Sequence, residues 1–423
     1  VRALVIGSGA REHAIVHGLL ADPSVTEVAA APGNPGIAAQ ARCLPLADVT
    51  DADAVVGTAR EFAPDLVIVG PEAPLVAGVA DALREAGFAV FGPSREAAQL
   101  EGSKAFAKDV MAAADVPTAR SYVATSEAEV REALDATGAP YVVKDDGLAA
   151  GKGVVVTESI DAAVDHALAC FAAGGSVVVE EFLDGPEVSI FCVTDGDVIV
   201  PLAPSQDFKR IGDGDEGPNT GGMGAYSPLP WAPEGLVDEV VRRIAQPTID
   251  EMRRRGTPFA GVLYVGLALT SAGPRVIEFN ARFGDPETQV VLARLQAPLG
   301  TLLQAAAEGR LAEQPPLVWR DDFAVTVVVA SEGYPRSPRT GDEISGVPEA
   351  ADDRYVLHAG TARDGDGTLV SAGGRVLSAV GVGPDLPAAR AAAYAVVDGI
   401  ALRGSQHRTD IAKAAAEGQV IVS

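Results

Sequence analysis

Residues 141–156 read YVVKDDGLAAGKGVVV, and the fold class turns on how this stretch is flanked. Tyr141–Val143 is an apolar, strand-like run ending in Lys144. Gly147, Gly151 and Gly153 then surround Lys152 in a loop of small residues, and Val154–Val156 is a second β-branched run. Glycine tolerates positive φ and lets backbone pass close to an anion, and successive N–H groups can form a concavity for phosphate oxygens. A Walker A loop runs strand–loop–helix and closes on Gly-Lys-Ser/Thr. Here Gly151-Lys152-Gly153 leads into valines, which favour a strand. The pattern predicts a β-hairpin and not a P-loop. Two readings of the hairpin stay open: a lid over a nucleoside triphosphate, or a glycine-rich turn with no ligand.

A chain of 423 residues is too long for one ordinary core and predicts several domains. With 48% hydrophobic and 22% charged residues, it reads as a soluble globular protein. A formal charge of −25 argues against a nucleic-acid partner, since phosphate backbones need basic surface. A small anionic substrate remains compatible, because a few placed cations reverse the local field. Only six lysines occur, and five of them lie between positions 104 and 209, which marks that region for compact cationic chemistry. Cys43, Cys170 and Cys192 are scattered, so neither a disulfide framework nor a zinc site is indicated. No signal peptide is visible and no apolar run reaches the roughly 18 residues of a membrane span. A cytoplasmic protein without a membrane partner is expected.

Val1–Ile6 reads as a buried strand, followed by Gly7-Ser8-Gly9-Ala10-Arg11-Glu12-His13 and a helix to about Leu20. This opens a nucleotide-binding-like α/β unit, but the dinucleotide fingerprint wants glycine where Glu12 stands. A phosphate monoester on the helix N-terminus at Gly9, with Arg11 adding charge, is better motivated than NAD. Strands at Val28–Ala31, Asp65–Val69 and Phe88–Phe91 follow. The strands that end at Gly70 and Gly92 point, with the first, to one crevice outside their carboxyl ends. Glu72 there either binds sugar hydroxyls or is a solvated loop carboxylate. This first domain closes near residue 100.

The second domain contains the hairpin and a helix at about Asp161–Ala172. Val177–Val179 then leads to Glu180-Glu181-Phe182-Leu183 and a turn before Glu187, which reads as an inter-domain hinge. Ser205–Pro228 is polar and glycine-rich; it reads as a long functional loop or a disordered insertion. A helix near Leu236–Arg254 precedes strands Gly261–Leu269 and Arg275–Asn280. On the second of these, Glu278 and Asn280 share a face, an oxygen pair suited to a hard cation or to structure alone. Asp285 is predicted as a helix N-cap with Pro286 at the first helical position. From about residue 321 the pattern becomes a small α+β unit: strands Phe323–Ala330, Tyr355–His358 and Arg375–Val382, and a helix at Leu386–Val397.

Together these segments resemble the ATP-grasp superfamily and, within it, the glycinamide ribonucleotide synthetase family. The resemblance is carried by GSGAREH at 7–13, GPEAPLV at 70–76, LEGSKAF at 100–106, KDDGLAAGKGV at 144–154, EEFLDGPE at 180–187, SQDFKRIGDGDEGPNTGGMGAYSP at 205–228, EFNARFGDPE at 278–287 and HAGT at 358–361. It implies an α/β and α+β multidomain protein. An N-terminal Rossmann-like (pre-ATP-grasp) domain would span 1–100, an ATP-grasp domain 101–320 with a mobile lid at about 118–190, and a C-terminal α+β domain 321–423. The implied reaction is ATP-dependent ligation of glycine to 5-phosphoribosylamine through a glycyl phosphate, in purine biosynthesis, by a monomer.

By the same resemblance, Lys104 and Lys144 fall on the ATP phosphates and the lid loop on Gly147, Gly151 and Gly153. The adenine pocket falls on Glu180, Glu181 and Leu183, and Glu187 on the ribose. Magnesium or manganese falls on Glu278 and Asn280. Arg282 is the candidate for the glycine carboxylate and Asp207 for its ammonium group. Gly9 and Arg11 are expected at the phosphoribosyl phosphate, with Glu72 near the ribose and His358–Thr361 over the pocket. Two positions depart from the family pattern. Ala281 rules out a catalytic thiol there. Asp145 follows the lid lysine where a small residue is usual; it either faces away from Lys144 or weakens ATP binding.

Overall fold

In the computed structural model, which describes residues 1–149 and 153–423, strand Arg2–Gly7 is the centre of a parallel sheet. The order is Arg42–Cys43, Glu27–Pro32, Arg2–Gly7, Leu66–Val69 and Val90–Phe91. Leu4, Ile6, Val67 and Val69 enter one buried cluster, while Ala3, Val5, Leu66 and Ile68 enter another. Both sheet faces are thus covered, which is why these strands are continuously apolar. Their carboxyl ends deliver Gly7–Gly9, Gly33–Asn34 and Gly70–Glu72 to one edge.

The hairpin forms as its valines predict: Tyr141–Asp145 pairs antiparallel with Val154–Thr157. Its other edge pairs with Val177–Glu180, which in turn pairs with Ser121–Ala124. Helices Glu127–Thr137 and Ile160–Ala172 cover this sheet. Val130, Leu134, Val143, Val164 and Val179 give it a core of its own. A separate core is what a subdomain able to move as a body requires. The chain leaves it through 181–186, where Gly185 has φ +87° and a Cβ would lie 2.0 Å from the Leu269 carbonyl oxygen. Only glycine fits that crossing.

Beside this subdomain, the body is an antiparallel sheet ordered Ile199–Pro201, Glu187–Thr194, Gly261–Thr270 and Gly273–Asn280. All of Gly261–Thr270 is buried. The last sheet joins Gln206–Asp207, Gly224–Ser227, Phe323–Ala330, Arg375–Gly383 and Arg354–His358. Helix Leu386–Gly399 packs on it closely: a Cβ on Gly381 would sit 2.3 Å from the Ala389 carbonyl oxygen.

Three local expectations need correction. Ser205–Pro228 is neither an irregular loop nor an insertion. It supplies two strands to the last sheet, and Arg210–Gly212 pairs with Glu216–Asn219. Such strands are two to four residues long and rich in glycine, so their pairing comes from partners distant in the chain. Leu236–Arg254 is not uniformly α-helical: 241–245 is a π turn, with the Gln246 N–H reaching the Val241 carbonyl. Pro247 brings no N–H to the helix ladder just beyond that turn. Pro286, not Asp285, holds the cap position of helix Glu287–Arg294. The Asp285 side chain instead takes Gln289 Nε2 at 2.8 Å and Arg375 Nη2 at 3.5 Å. Among the described residues, no helix is long and apolar enough to cross a membrane.

Candidate active site

Lys144, one residue before the end of its strand, lies on the face turned to the body sheet. There Leu267 pairs with Val276 and Gly266 with Glu278, so Ile277 is the extra residue of a bulge. Its freed carbonyl accepts from Lys144 Nζ at 3.0 Å. A second Lys144 proton goes to Glu180 Oε2 at 2.9 Å, which leaves one of three ammonium donors for a further acceptor. Glu180 Oε1 pairs with Lys108 at 3.1 Å. Lys108 also donates to Thr118 Oγ1 at 2.8 Å and the Ala119 carbonyl at 3.0 Å. Burial lowers the Lys108 ammonium to about 8, with Glu180 opposing and Lys144 adding to the fall. The Glu180 carboxylate is therefore a buried counter-ion for two lysines, and Lys108 is structural.

Lys104 begins helix Lys104–Ala113 and donates to the Gly147 carbonyl at 2.9 Å. The contact is organised by Asp146, which sequence reasoning passed over. Asp146 Oδ1 accepts from Ser103 Oγ and from the Ala105 N–H, both at 3.1 Å, and Oδ2 accepts from Ser176 Oγ at 3.3 Å. Asp146 and Gly147 are thereby pinned to the positive end of that helix. Asp145 lies on the opposite face from Lys144: its Oδ1 would stand 3.2 Å from a Cβ on Gly175, beside the Cys170 side of the lid. Of the lid glycines, Gly147 and Gly153 are described, and Gly151 lies outside the described residues.

Glu181 Oε1 accepts from the Arg120 N–H at 2.9 Å and Arg275 Nη2 at 2.7 Å, holding the hinge strand to the body. Leu183 is half-buried and Glu187 exposed; Glu187 pairs with Lys209 at 2.8 Å. Asp207 sits beside Lys209, Glu287, Glu187 and Glu278. Burial, and then the three glutamates against the pull of Lys209, raise Asp207 to about 8. Glu278 experiences the opposite balance. Burial raises it, but Lys209, Lys144, Lys104 and Arg282 outweigh that and hold it below its ordinary value. An ionised Glu278 beside Asn280, which is buried, is a pair of hard oxygen donors. Among the described residues no group of three or more His, Cys, Asp or Glu could hold a metal by itself. A cation here would complete its shell from phosphate and water.

Arg282 spans two units. Its Nε donates to Glu72 Oε2 at 3.1 Å and its Nη2 pairs with Glu101 Oε1 at 2.9 Å. Glu101 Oε2 also accepts the Ala281 N–H at 2.7 Å. Glu101 carried no assignment in the sequence, since its partner is 181 positions away. Burial raises Glu72, but Arg282 and Arg11 lower it to about 2. Arg11 pairs with Glu12 Oε1 at 2.6 Å and donates to the Phe283 carbonyl at 3.2 Å. Glu12 Oε2 takes the Gly9 N–H at 2.7 Å, and a Cβ on Gly70 would lie 2.1 Å from Glu12 Oε1. The carboxylate thus fills the space where a dinucleotide pyrophosphate would approach, which removes the NAD reading. Gly9, Arg11, Glu72 and Arg282 do converge. The last sheet closes over this loop: the His358 N–H donates to His13 Nδ1, and Asn34 Nδ2 bridges the Ser8 and His358 carbonyls, all at 2.9 Å. Burial, then His358 and His17, lower His13 to about 3.

Comparison with known proteins matches three family models in chain order. They are the N domain of phosphoribosylglycinamide synthetase over residues 1–101, its ATP-grasp (A) domain over 102–288 and its C domain over 324–414. The phosphoribosylamine–glycine ligase of Streptomyces coelicolor is 67% identical, covering 98% of this chain and 100% of that protein. The crystal structure of the Thermotoga maritima phosphoribosylamine–glycine ligase superposes with a TM-score of 0.84 at 34% identity, over 97% of this chain and 100% of that one. The biotin carboxylase domain of Hydrogenobacter thermophilus 2-oxoglutarate carboxylase, solved with MgADP, shares the fold at 15% identity and a TM-score of 0.72, over 96% of this chain and 91% of that one.

Proposed function

The chain belongs to the phosphoribosylglycinamide synthetase family, and from that premise we propose how its residues serve a phosphoribosylamine–glycine ligase. The enzyme joins glycine to 5-phosphoribosylamine with ATP cleaved to ADP and phosphate, a step of purine biosynthesis. The observation that carries this is the match, in chain order, to the models of all three family domains, together with a relative 67% identical that is covered over its whole length.

A carboxylate is a poor acyl donor because its oxide would have to leave. A glycine carboxylate oxygen attacks the γ-phosphorus of ATP and ADP departs. The phosphoribosylamine nitrogen then attacks the glycyl phosphate carbonyl, phosphate leaves and the nitrogen gives up a proton. Negative charge accumulates on the transferring phosphoryl group, so positioned cations supply most of the catalysis. The unspent N–H of Lys144 and the ammonium of Lys104 meet that need. Glu278 and Asn280 would hold magnesium or manganese, which would neutralise phosphate charge. Arg282 has five N–H donors and spends three on Glu72, Glu101 and the Phe283 carbonyl. The remaining two orient the glycine carboxylate, and Asp207 receives the ammonium group.

The hinge backbone at Glu180–Leu183 reads adenine and Glu187 holds the ribose of ATP. Gly9, Arg11 and Glu72 take the phosphoribosyl group beneath His358–Thr361. The lid, about 118–190, excludes water from an acyl phosphate that would otherwise hydrolyse. The working division is 1–100, 101–320 and 321–423, in a cytoplasmic monomer.

ADP release measured with glycine and phosphoribosylamine, singly and together, tests this reading. Release that requires both supports the ligase. Release indifferent to phosphoribosylamine, or none from a folded preparation, rejects it.

A further inference from the structure

Lys108 lies one helical turn beyond Lys104 on helix Lys104–Ala113 and has no donor left for a ligand. Its three N–H groups go to Glu180 Oε1 at 3.1 Å, Thr118 Oγ1 at 2.8 Å and the Ala119 carbonyl at 3.0 Å. Thr118 Oγ1 passes its own proton to the Val276 carbonyl at 2.7 Å, which fixes the hydroxyl as an acceptor toward Lys108. An ammonium with every proton engaged acts on a ligand only through its charge.

That charge reaches the nucleotide site through Glu180. The side chains of Lys108, Lys144 and Glu180 are 9%, 5% and 4% exposed, so salt screens their interactions little. With both lysines protonated, two ammonium groups face one carboxylate and the cluster keeps a net positive charge. With Lys108 neutral, Glu180 balances Lys144 one for one and the surplus is gone. A neutral amine still donates two protons, so the charge can leave while the packing stays. Three charged groups face Lys108: Glu180 on strand Val177–Glu180, Lys144 on strand Tyr141–Asp145 and Arg275 on strand Gly273–Asn280. Burial, joined by Lys144 and Arg275 and opposed by Glu180, lowers Lys108 to about 8. Its proton is therefore lost within an ordinary assay range.

We propose that Lys108 is a positioning residue for ATP: by sharing Glu180, it leaves the Lys144 ammonium uncompensated for the nucleotide phosphates. The proposal rests on the ligase reading above in taking Lys144 as a phosphate ligand.

Steady-state ADP release with ATP varied, at saturating glycine and phosphoribosylamine, tests it across pH. In wild type the KM for ATP should be level up to about pH 7 and climb roughly 5- to 50-fold through about pH 8 as Lys108 loses its proton. Lys108→Met should show the raised KM already at about pH 7 and no further climb, with the KM values for glycine and phosphoribosylamine within about twofold of wild type. Lys108→Arg, charged at every pH used, should keep the low KM throughout. An ATP KM in Lys108→Met within about twofold of wild type at neutral pH, or a climb as steep in the variants as in wild type, overturns the proposal. So does a rise for all three substrates in both variants, the mark of a misplaced hinge rather than a lost charge. Should neither variant fold, judged by its melting profile, wild type decides alone: an ATP KM that stays level from about pH 7 to 9 rejects the proposal, and a climb supports it. Wild-type protein that releases no ADP removes the ligase reading; calorimetric titration with magnesium ATP over the same pH range then decides this one by the same change in affinity.

Discussion

The lysine cluster under the lid and the arginine cluster at the junction of the first two units are built from the same kind of buried ion pair, but with opposite surpluses. Lys108 and Lys144 share the single carboxylate of Glu180. Arg11 and Arg282 face Glu12, Glu72 and Glu101. In the first, cations outnumber anions, and a donor is left over for a polyanion. In the second, carboxylates outnumber cations, and most donors are spent on tying strand ends of different units together. Both clusters keep donors for a ligand, one on Lys144 and two on Arg282, so the sign of the charge surplus, and not the donor count, separates them.

The largest effect should come from emptying the first cluster. Lys144→Ala removes a cation from the transferring phosphoryl group, and kcat should fall roughly 100- to 1,000-fold, as for loss of one preorganised donor. Circular dichroism should be unchanged, because Lys108 still compensates Glu180. A kcat within about threefold of wild type would erase the distinction drawn between the clusters.

Glu101→Ala tests the second cluster through stability. It strands Arg282 in a buried setting and frees the Ala281 N–H, so urea unfolding should show a loss of about 3 kcal/mol. No loss would mean that the clamp contributes nothing to the junction.

Glu72 offers the smallest and most graded test. Its folded value of about 2 lies below the ordinary 4.5. A depressed carboxylate stabilises the fold fully above its unfolded value and loses that contribution as pH falls through the folded one. The gap in urea midpoint between wild type and Glu72→Gln should be constant above pH 5 and close progressively between about 4.5 and 2. A gap independent of pH would place the stabilisation of Glu72 in packing rather than charge.

Much of this architecture was legible beforehand because it depends on local rules. Strand exits into Gly or Pro, β-branched runs on both sides of the glycine loop, and the i, i+2 spacing of Glu278 and Asn280 all report on residues a few positions apart. Asp145 drew attention because it is adjacent to Lys144, yet Asp146 docks the lid loop, with partners 41, 43 and 30 residues away. Glu101 was silent for the same reason. Nothing within a turn of it distinguishes it from a surface carboxylate, and burial is what makes its pairing consequential. Ser205–Pro228 failed differently. Its strands are too short and glycine-rich to carry a periodic signal, and only the long strand Phe323–Ala330 gives them an edge to join.

By itself, the sequence pointed to a β-hairpin over 141–156, because β-branched runs on both sides of a glycine loop favour paired strands. It also determined the order of the three units and the residues available for phosphate and metal. Tertiary structure alone decided which of those charges remain available. Lys144 keeps a donor because a bulge frees one carbonyl for it and Glu180 is shared. Lys108, four residues along the same helix from Lys104, is spent on its neighbours. A charge acts on a ligand only where folding leaves it partly uncompensated, and compensation is a property of neighbours in space rather than in sequence.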